Sequence, residues 1–288
     1  MNDSRDIRKF YIKRLISILP LYYAYGTINV IINIALKGTG AAIEELILFP
    51  IEVLGIQSVF ATLFPFSHNG GSWFISCILI CYFLFPLLQT LTKSLSDKSR
   101  MIVILILGVI LLWSPFVQHY FELQNIYSNP FFRGLEFCIG ILISQMNIRL
   151  QTDNKLILFL RRPWMCAMSV ICLVMGVSVA YYIGFPHDFM LYNWVALPCF
   201  ISLLVSLGYL KFKGFKVVQY LSNLSFSIFL SQLIVVWYGV KYVLEYADCS
   251  NNIAKILLPA FVCFVLANFF HYCIEKPSSR YLKAKYCK

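Results

Sequence analysis

Charge is what this chain has least of. Only 13% of its 288 residues are Asp, Glu, Lys or Arg, against 60% hydrophobic and a mean hydropathy of +0.75. So little polar surface excludes a soluble globule of this size, which needs polar side chains to coat it. Negative charge is the scarcer sign, 13 Asp and Glu against 24 Lys and Arg. The net +11 calls for no nucleic-acid partner, because cationic loops facing an anionic membrane leaflet account for it. Other absences narrow the class. The ten Cys include no CxxC pair and sit mostly inside apolar runs, among them Cys77, Cys81, Cys138, Cys166, Cys172, Cys199 and Cys263, so neither a disulfide framework nor a metal site is expected. No GxSxG elbow, HExxH helix or glycine-rich phosphate loop occurs. There is no internal repeat, and no polar loop exceeds about 15 residues. A cleavable leader is not expected either, since the first 14 residues are charged and the run after them is long enough to span.

What the chain does have is long apolar runs, and a partition of its cations between them. Twenty of the 24 Lys and Arg fall in five short segments: 1–14, 93–100, 148–162, 211–220 and 274–288. The intervening runs are 17 to 22 residues long. A helix rising about 1.5 Å per residue crosses a hydrocarbon core of about 30 Å over that length. Spanning helices are predicted at 15–36, 72–92, 101–118, 131–147, 164–184, 191–210, 221–240 and 253–273, an all-α bundle of about eight spans. The stretch 43–66 is apolar but carries Glu44, Glu45, Glu52, Gln57, Pro50 and Pro65. If it crossed, Lys93, Lys98 and Arg100 would land opposite the N-terminal cluster. As an interfacial or re-entrant segment it leaves all five clusters on one side and only Lys37, Arg133, Lys241 and Lys255 elsewhere. The expected layout is therefore one membrane domain over 1–288 in the cytoplasmic membrane, with both termini cytoplasmic and the bilayer as its first partner.

Polar residues inside spans are the informative ones. Arg133 and Glu136 are three apart on one helix face and can pair or line a cavity; alternatively Arg133 snorkels to the interface and Glu136 neutralises it. The run Gly70 to Ser76 opens its helix with flexible backbone and the large indole of Trp73, which suits a lid or a substrate ledge, or else a Trp anchor beside a turn. His68, His119 and His187 fall in predicted outer loops, where solvated histidines are the plainer reading.

These residues also resemble a family. Trp73, Phe74, Ile75 and Ser76 followed by Tyr82, Phe83, Leu84, Phe85 and Pro86 look like a WFLSxExxFYLLxPL segment. Phe10 to Pro20 resembles FxxRRxxRIxP, Phe132 to Gly140 resembles xRLxEFxxG, Leu221 to Gln232 resembles LGxxSYxxYLxH, and Ile274 to Pro277 matches IEKP. In this order they resemble the acyltransferase-3 family of integral membrane acyltransferases, which move acyl groups, often acetyl, onto carbohydrates of the cell envelope. The resemblance implies an acyl-coenzyme A co-substrate, a carbohydrate acceptor, and basic residues, here Arg14 with Lys13, that hold the donor's phosphates. Trp73, Ser76, Tyr82, Arg133 and Glu136 become candidates to line the cavity or position substrate.

The departures matter as much. The family implies about ten spans and a catalytic His in its first helix. The chain here begins at the basic loop that follows the second span, so the catalytic group is unassigned and two helices are expected to be missing. Ser17 stands at the second Arg of the pair, Ile78 at the Glu of the WFLS segment and Gln232 at the His that closes LGxxSYxxYLxH. An incomplete gene, a degenerate copy and a variant subfamily remain open. The reading from another class, a glycan transporter or scaffold, predicts a charged aqueous path, and buried charge is sparse beyond Arg133, Glu136 and Glu52.

Overall fold

A computed structural model of the chain describes residues 4–60, 72–121, 126–146, 159, 162–183, 192–207, 216–235, 239 and 252–287. Among them there is no strand. The helices are α1 (Ser4–Lys37), α2 (Thr39–Leu54), α3 (Ser72–Lys93), α4 (Asp97–Tyr120), α5 (Pro130–Gln145), α6 (Pro163–Ile183), α7 (Leu197–Leu207), α8 (Lys216–Ile234), α9 (Asn252–Phe270) and α10 (Lys276–Tyr286). Short π turns at Tyr192–Ala196 and His271–Glu275 lead into α7 and α10.

Among the described residues, four helical stretches are long and apolar enough to cross a bilayer: Arg5–Lys37, Ser72–Lys93, Asp97–Gln118 and Leu257–Tyr286. Pro163–Val179 and Trp194–Leu204 are apolar but shorter. α5 has only 16 residues, and α8 carries Ser222, Asn223, Ser225, Ser227 and Ser231. The two outermost helices run past the predicted spans, because a backbone that bonds to itself continues into water beside the lysines as readily as it crosses lipid.

Side chains are distributed inside out. Leu46, Ile47, Phe83, Leu105, Trp113, Leu204 and Phe261 are exposed, whereas Tyr25, Asn29, Ser76, Ser227 and Ser231 are buried. A bilayer rewards that arrangement: apolar groups meet lipid without cost, while small and hydrogen-bonding side chains hold the helices together.

The chain divides into two compact units, residues 1–86 with 214–288, and residues 87–213. In the first, α1 is the axis. Gly38, at φ 75°, takes the left-handed backbone that glycine adopts without strain, and α2 turns back there to run antiparallel along α1. Near the turn Asn33 donates to Glu45 at 2.8 Å; at the far end the hydroxyls of Tyr22 and Tyr23 donate to the carbonyls of Glu52 and Val53 at 2.6 and 2.8 Å. Gly55 closes α2 at φ 65°, and any Cβ there would also lie 2.7 Å from a methyl of Leu79. Over Thr39–Leu54 the segment expected to be interfacial or re-entrant is a helix packed antiparallel along the second half of α1. Residues 61–66 lie outside the described part.

The start of α3 is antiparallel to α1 as well, with Gln57 Nε2 on the Ser72 carbonyl at 2.9 Å and the Tyr11 hydroxyl on the Phe83 carbonyl at 2.8 Å. α8 and α9 pack against each other, and with α1 and α3 they enclose Ile18, Leu21, Tyr22, Tyr25, Ile75, Leu230 and Phe270.

In the second unit α4 pairs with α5 and α6 with α7. Ser96 caps α4 by accepting from the Ser99 amide, and Asn129 caps α5 ahead of Pro130. Pro115 has no amide to offer the Leu111 carbonyl; the Ser114 hydroxyl takes it at 2.7 Å, and Trp194 Nε1 takes the neighbouring Leu112 carbonyl at 2.9 Å. A Cβ at Gly176 would collide with Val195, so a small residue sets the approach of α6 to the π turn. Arg100 bonds to Asp97 and to the carbonyls of Thr92, Lys93 and Gln145, which ties the helix ends together.

Candidate functional site

A row of polar side chains in the first unit follows α1. At its basic end Lys13 and Arg14 are exposed. The Arg14 guanidinium lies 4.9 Å from the centre of the Tyr82 ring and 5.3 Å from that of Phe10. Phe10 in turn stacks on Phe85 at 4.8 Å. A guanidinium laid on aromatic faces is oriented while its N–H edge stays available to an anion. Two sequence candidates, Arg14 and Tyr82, are therefore in contact. Ser17, where the family has a second Arg, donates to the Lys13 carbonyl at 2.8 Å.

Further along, Tyr22, Tyr25, Asn29 and Asn33 share one face of the helix. Tyr22 takes a bond from Gln57 Nε2 at 3.3 Å; Tyr25 meets the hydroxyl of Ser231 and the Ser227 carbonyl. Ser227 itself donates to the Ala267 carbonyl at 2.8 Å. Ser76 is wholly buried, 2.6 Å from the Ser58 hydroxyl, and so pins the turn Gln57–Val59 to α3. Trp73 is half-buried with its ring edge-on to Phe74. Ile78, where the family has Glu, packs on the apolar cluster around Tyr22, and Gln232 is exposed.

Beside this face a cavity of about 350 Å³ opens between α1 and α2, bounded by Tyr22, Tyr23, Gly26, Thr27, Val30, Phe49, Glu52, Val53 and Ser72.

The structure adds a pair that the motif reading passed over. His271 Nδ1 lies 2.8 Å from a Glu275 carboxylate oxygen, across the π turn between α9 and α10. The side chains are 15% and 21% exposed. Phe270, the residue before, packs on Tyr25, and both the π turn and α10 lie along α1. The pair therefore sits in the same unit as Arg14 and the cavity. Its sequence signal was a His four residues before the Glu of the IEKP match, one helical turn away, inside a segment read only as the end of a span.

In the second unit Arg133 Nη1 lies 2.7 Å from Glu136, and its guanidinium stands 5.0 Å from the centre of the Tyr127 ring. These side chains are 9% and 16% exposed. The two side chains are thus paired across one helical turn. His68 and His187 lie outside the described residues, as does the side chain of His119.

A helical bundle with lipid-facing apolar surface, a basic end and a polar interior defines a multi-pass membrane protein. The sequence profile of the acyltransferase-3 family, described as an acyltransferase domain, matches residues 2–272, and the chain belongs to that family. Its class is that of the membrane acyltransferases. No curated protein and no solved structure matches it.

Proposed function

We propose that the chain moves an acyl group, acetyl or a homologue, from a cytoplasmic acyl-coenzyme A to a hydroxyl of an envelope or exported carbohydrate. The observation that carries this is the family match along nearly the whole bundle. Lys13 and Arg14 are the exposed cations for the donor's phosphates, Arg14 being held by Tyr82 and Phe10. His271 is the general base. Glu275 accepts from its Nδ1–H and so leaves Nε2 to take the proton from the acceptor hydroxyl. The hydroxyl oxygen bonds to the thioester carbonyl carbon, the carbon–sulfur bond breaks, and the proton passes from Nε2 to the departing thiolate.

Placement of both termini and of the basic loops on the cytoplasmic side belongs to this proposal, since it puts Arg14 where the donor is. Deleting the gene and weighing the acyl content of the envelope glycans by mass spectrometry tests it: loss of O-acyl groups is expected. Unchanged acylation, together with glycan uptake into vesicles carrying the purified protein, would replace the reading with transport.

A further inference from the structure

We infer that Cys172 and Cys199 form a two-thiol site between α6 and α7, fitted to an organic trivalent arsenical that bridges both sulfurs. Two contacts fix the register of these antiparallel helices. Ser169 Oγ donates to Ser202 Oγ at 2.9 Å, and a Cβ on Gly176 would collide with Val195. Cys172 and Cys199 are the layer between those two: three residues beyond Ser169 and three before Ser202, four before Gly176 and four beyond Val195. Spacings of three and four on both helices are those of a seam whose side chains meet layer by layer. The two thiols therefore face each other, and they lie within electrostatic reach. Both belong to the second unit and take no part in the proposed transfer.

The surroundings select what the pair can hold. Met168, Ile171, Met175 and Phe200, beside the thiols in sequence, are exposed on an apolar surface. A thiolate is costly in such a setting, which disfavours disulfide exchange and any metal ion that leaves a charged complex. An arsenical R–As(OH)2 avoids the charge. Two As–O bonds break, two As–S bonds form, and each thiol proton leaves with a hydroxyl as water. Arsenic stays trivalent and the adduct is neutral. Cys172 is exposed and Cys199 half-buried, so a reagent dissolved in the bilayer meets Cys172 first and then closes on Cys199. Cys77 and Cys81 also lie one turn apart on α3, but at 2% and 4% exposure they are shielded.

The test is phenylarsine oxide, which hydrates to that form, added to the reduced full chain in lipid nanodiscs and followed by intact mass and peptide mapping. One arsenical per chain is expected on Cys172 and Cys199 together, released by a dithiol and not by a monothiol at equal thiol concentration. Cys172→Ser and Cys199→Ser should each weaken capture about 100-fold or more, because the second As–S bond is no longer intramolecular. Both variants should fold as wild type, since the neighbouring layer already holds two hydroxyls. Bridged wild type should also unfold at a higher temperature than the unbridged protein, a shift absent from both variants. Capture at Cys77 and Cys81, equal capture by wild type and both variants, or no capture at all overturns the site.

Discussion

Each unit holds an intrahelical pair, with both side chains largely buried, between a carboxylate and a cation-forming side chain, and on the proposed reading the two pairs do different things. Arg133–Glu136 in the second unit is at 2.7 Å and His271–Glu275 in the first at 2.8 Å, both largely withdrawn from solvent. Geometry does not separate them; chemistry does. A guanidinium keeps its proton at any working pH, so the Arg133 pair is a fixed dipole whose desolvation is offset by Glu136 and by the Tyr127 ring. An imidazole exchanges its proton in the working range, so an oriented imidazole is a device for moving one. On the proposed reading, buried charge in this bundle is a joint in one unit and a reactive group in the other.

The sharpest way to break that contrast is to remove one partner of the fixed pair. Glu136→Leu leaves the Arg133 guanidinium buried without its carboxylate and should cost about 3–5 kcal/mol of stability, whereas Arg133→Met with Glu136→Leu should recover most of it. Thermal unfolding in nanodiscs measures both. A single variant as stable as wild type would show that the joint holds nothing.

The next effect is on rate. His271→Asn should lower kcat by about 100-fold or more while the unfolding temperature barely moves, and Glu275→Gln should lower it less. The opposite pattern, a destabilised protein with normal turnover per folded molecule, would make His271–Glu275 a second joint and erase the distinction. Third comes Arg14→Ala, which should raise KM for the acyl-coenzyme A about tenfold, with Arg14→Lys intermediate, because charge-assisted bonds to phosphate contribute about 1.5–3 kcal/mol. An effect on kcat alone would move Arg14 away from donor binding.

How much of this was readable beforehand depends on which force set each feature. α3, α4 and α5 begin and end within a few residues of the predicted spans, since hydropathy changes sharply there and Ser96, Asn129 and Pro130 are start signals a sequence displays. The spacing of Arg133 and Glu136 was equally visible, because a contact at i, i+3 is local. α1 and the C-terminal helix outran their predicted spans because charge ends a hydrophobic run without ending a helix. The path of α2 was open between two forms: its direction is set by tyrosine hydroxyls meeting carbonyls 30 residues away, which no periodicity carries. His271 is masked in the sequence by its setting at the end of an apolar run, whereas the three other histidines fall in predicted loops. Its partner Glu275 was read only as a letter of a motif.

The smallest expected effect concerns neutral hydrogen bonds, and it sets the scale for the other three. Tyr25 is wholly buried with its hydroxyl on Ser231 and the Ser227 carbonyl, and Tyr220 bonds to Asn268 between α8 and α9. Neither bond involves a charge, and in a bilayer the separated helices find other partners for such groups, so Tyr25→Phe and Asn268→Ala should each cost only about 0.5–1.5 kcal/mol. Tyr25 also lies against Phe270, next to His271. If Tyr25→Phe costs little stability but lowers kcat several-fold, the hydroxyl ladder along α1 helps to seat the imidazole. If stability and rate fall together by the same small factor, the ladder is only a clasp between helices, and the proton chemistry of the first unit belongs to the His271–Glu275 pair alone.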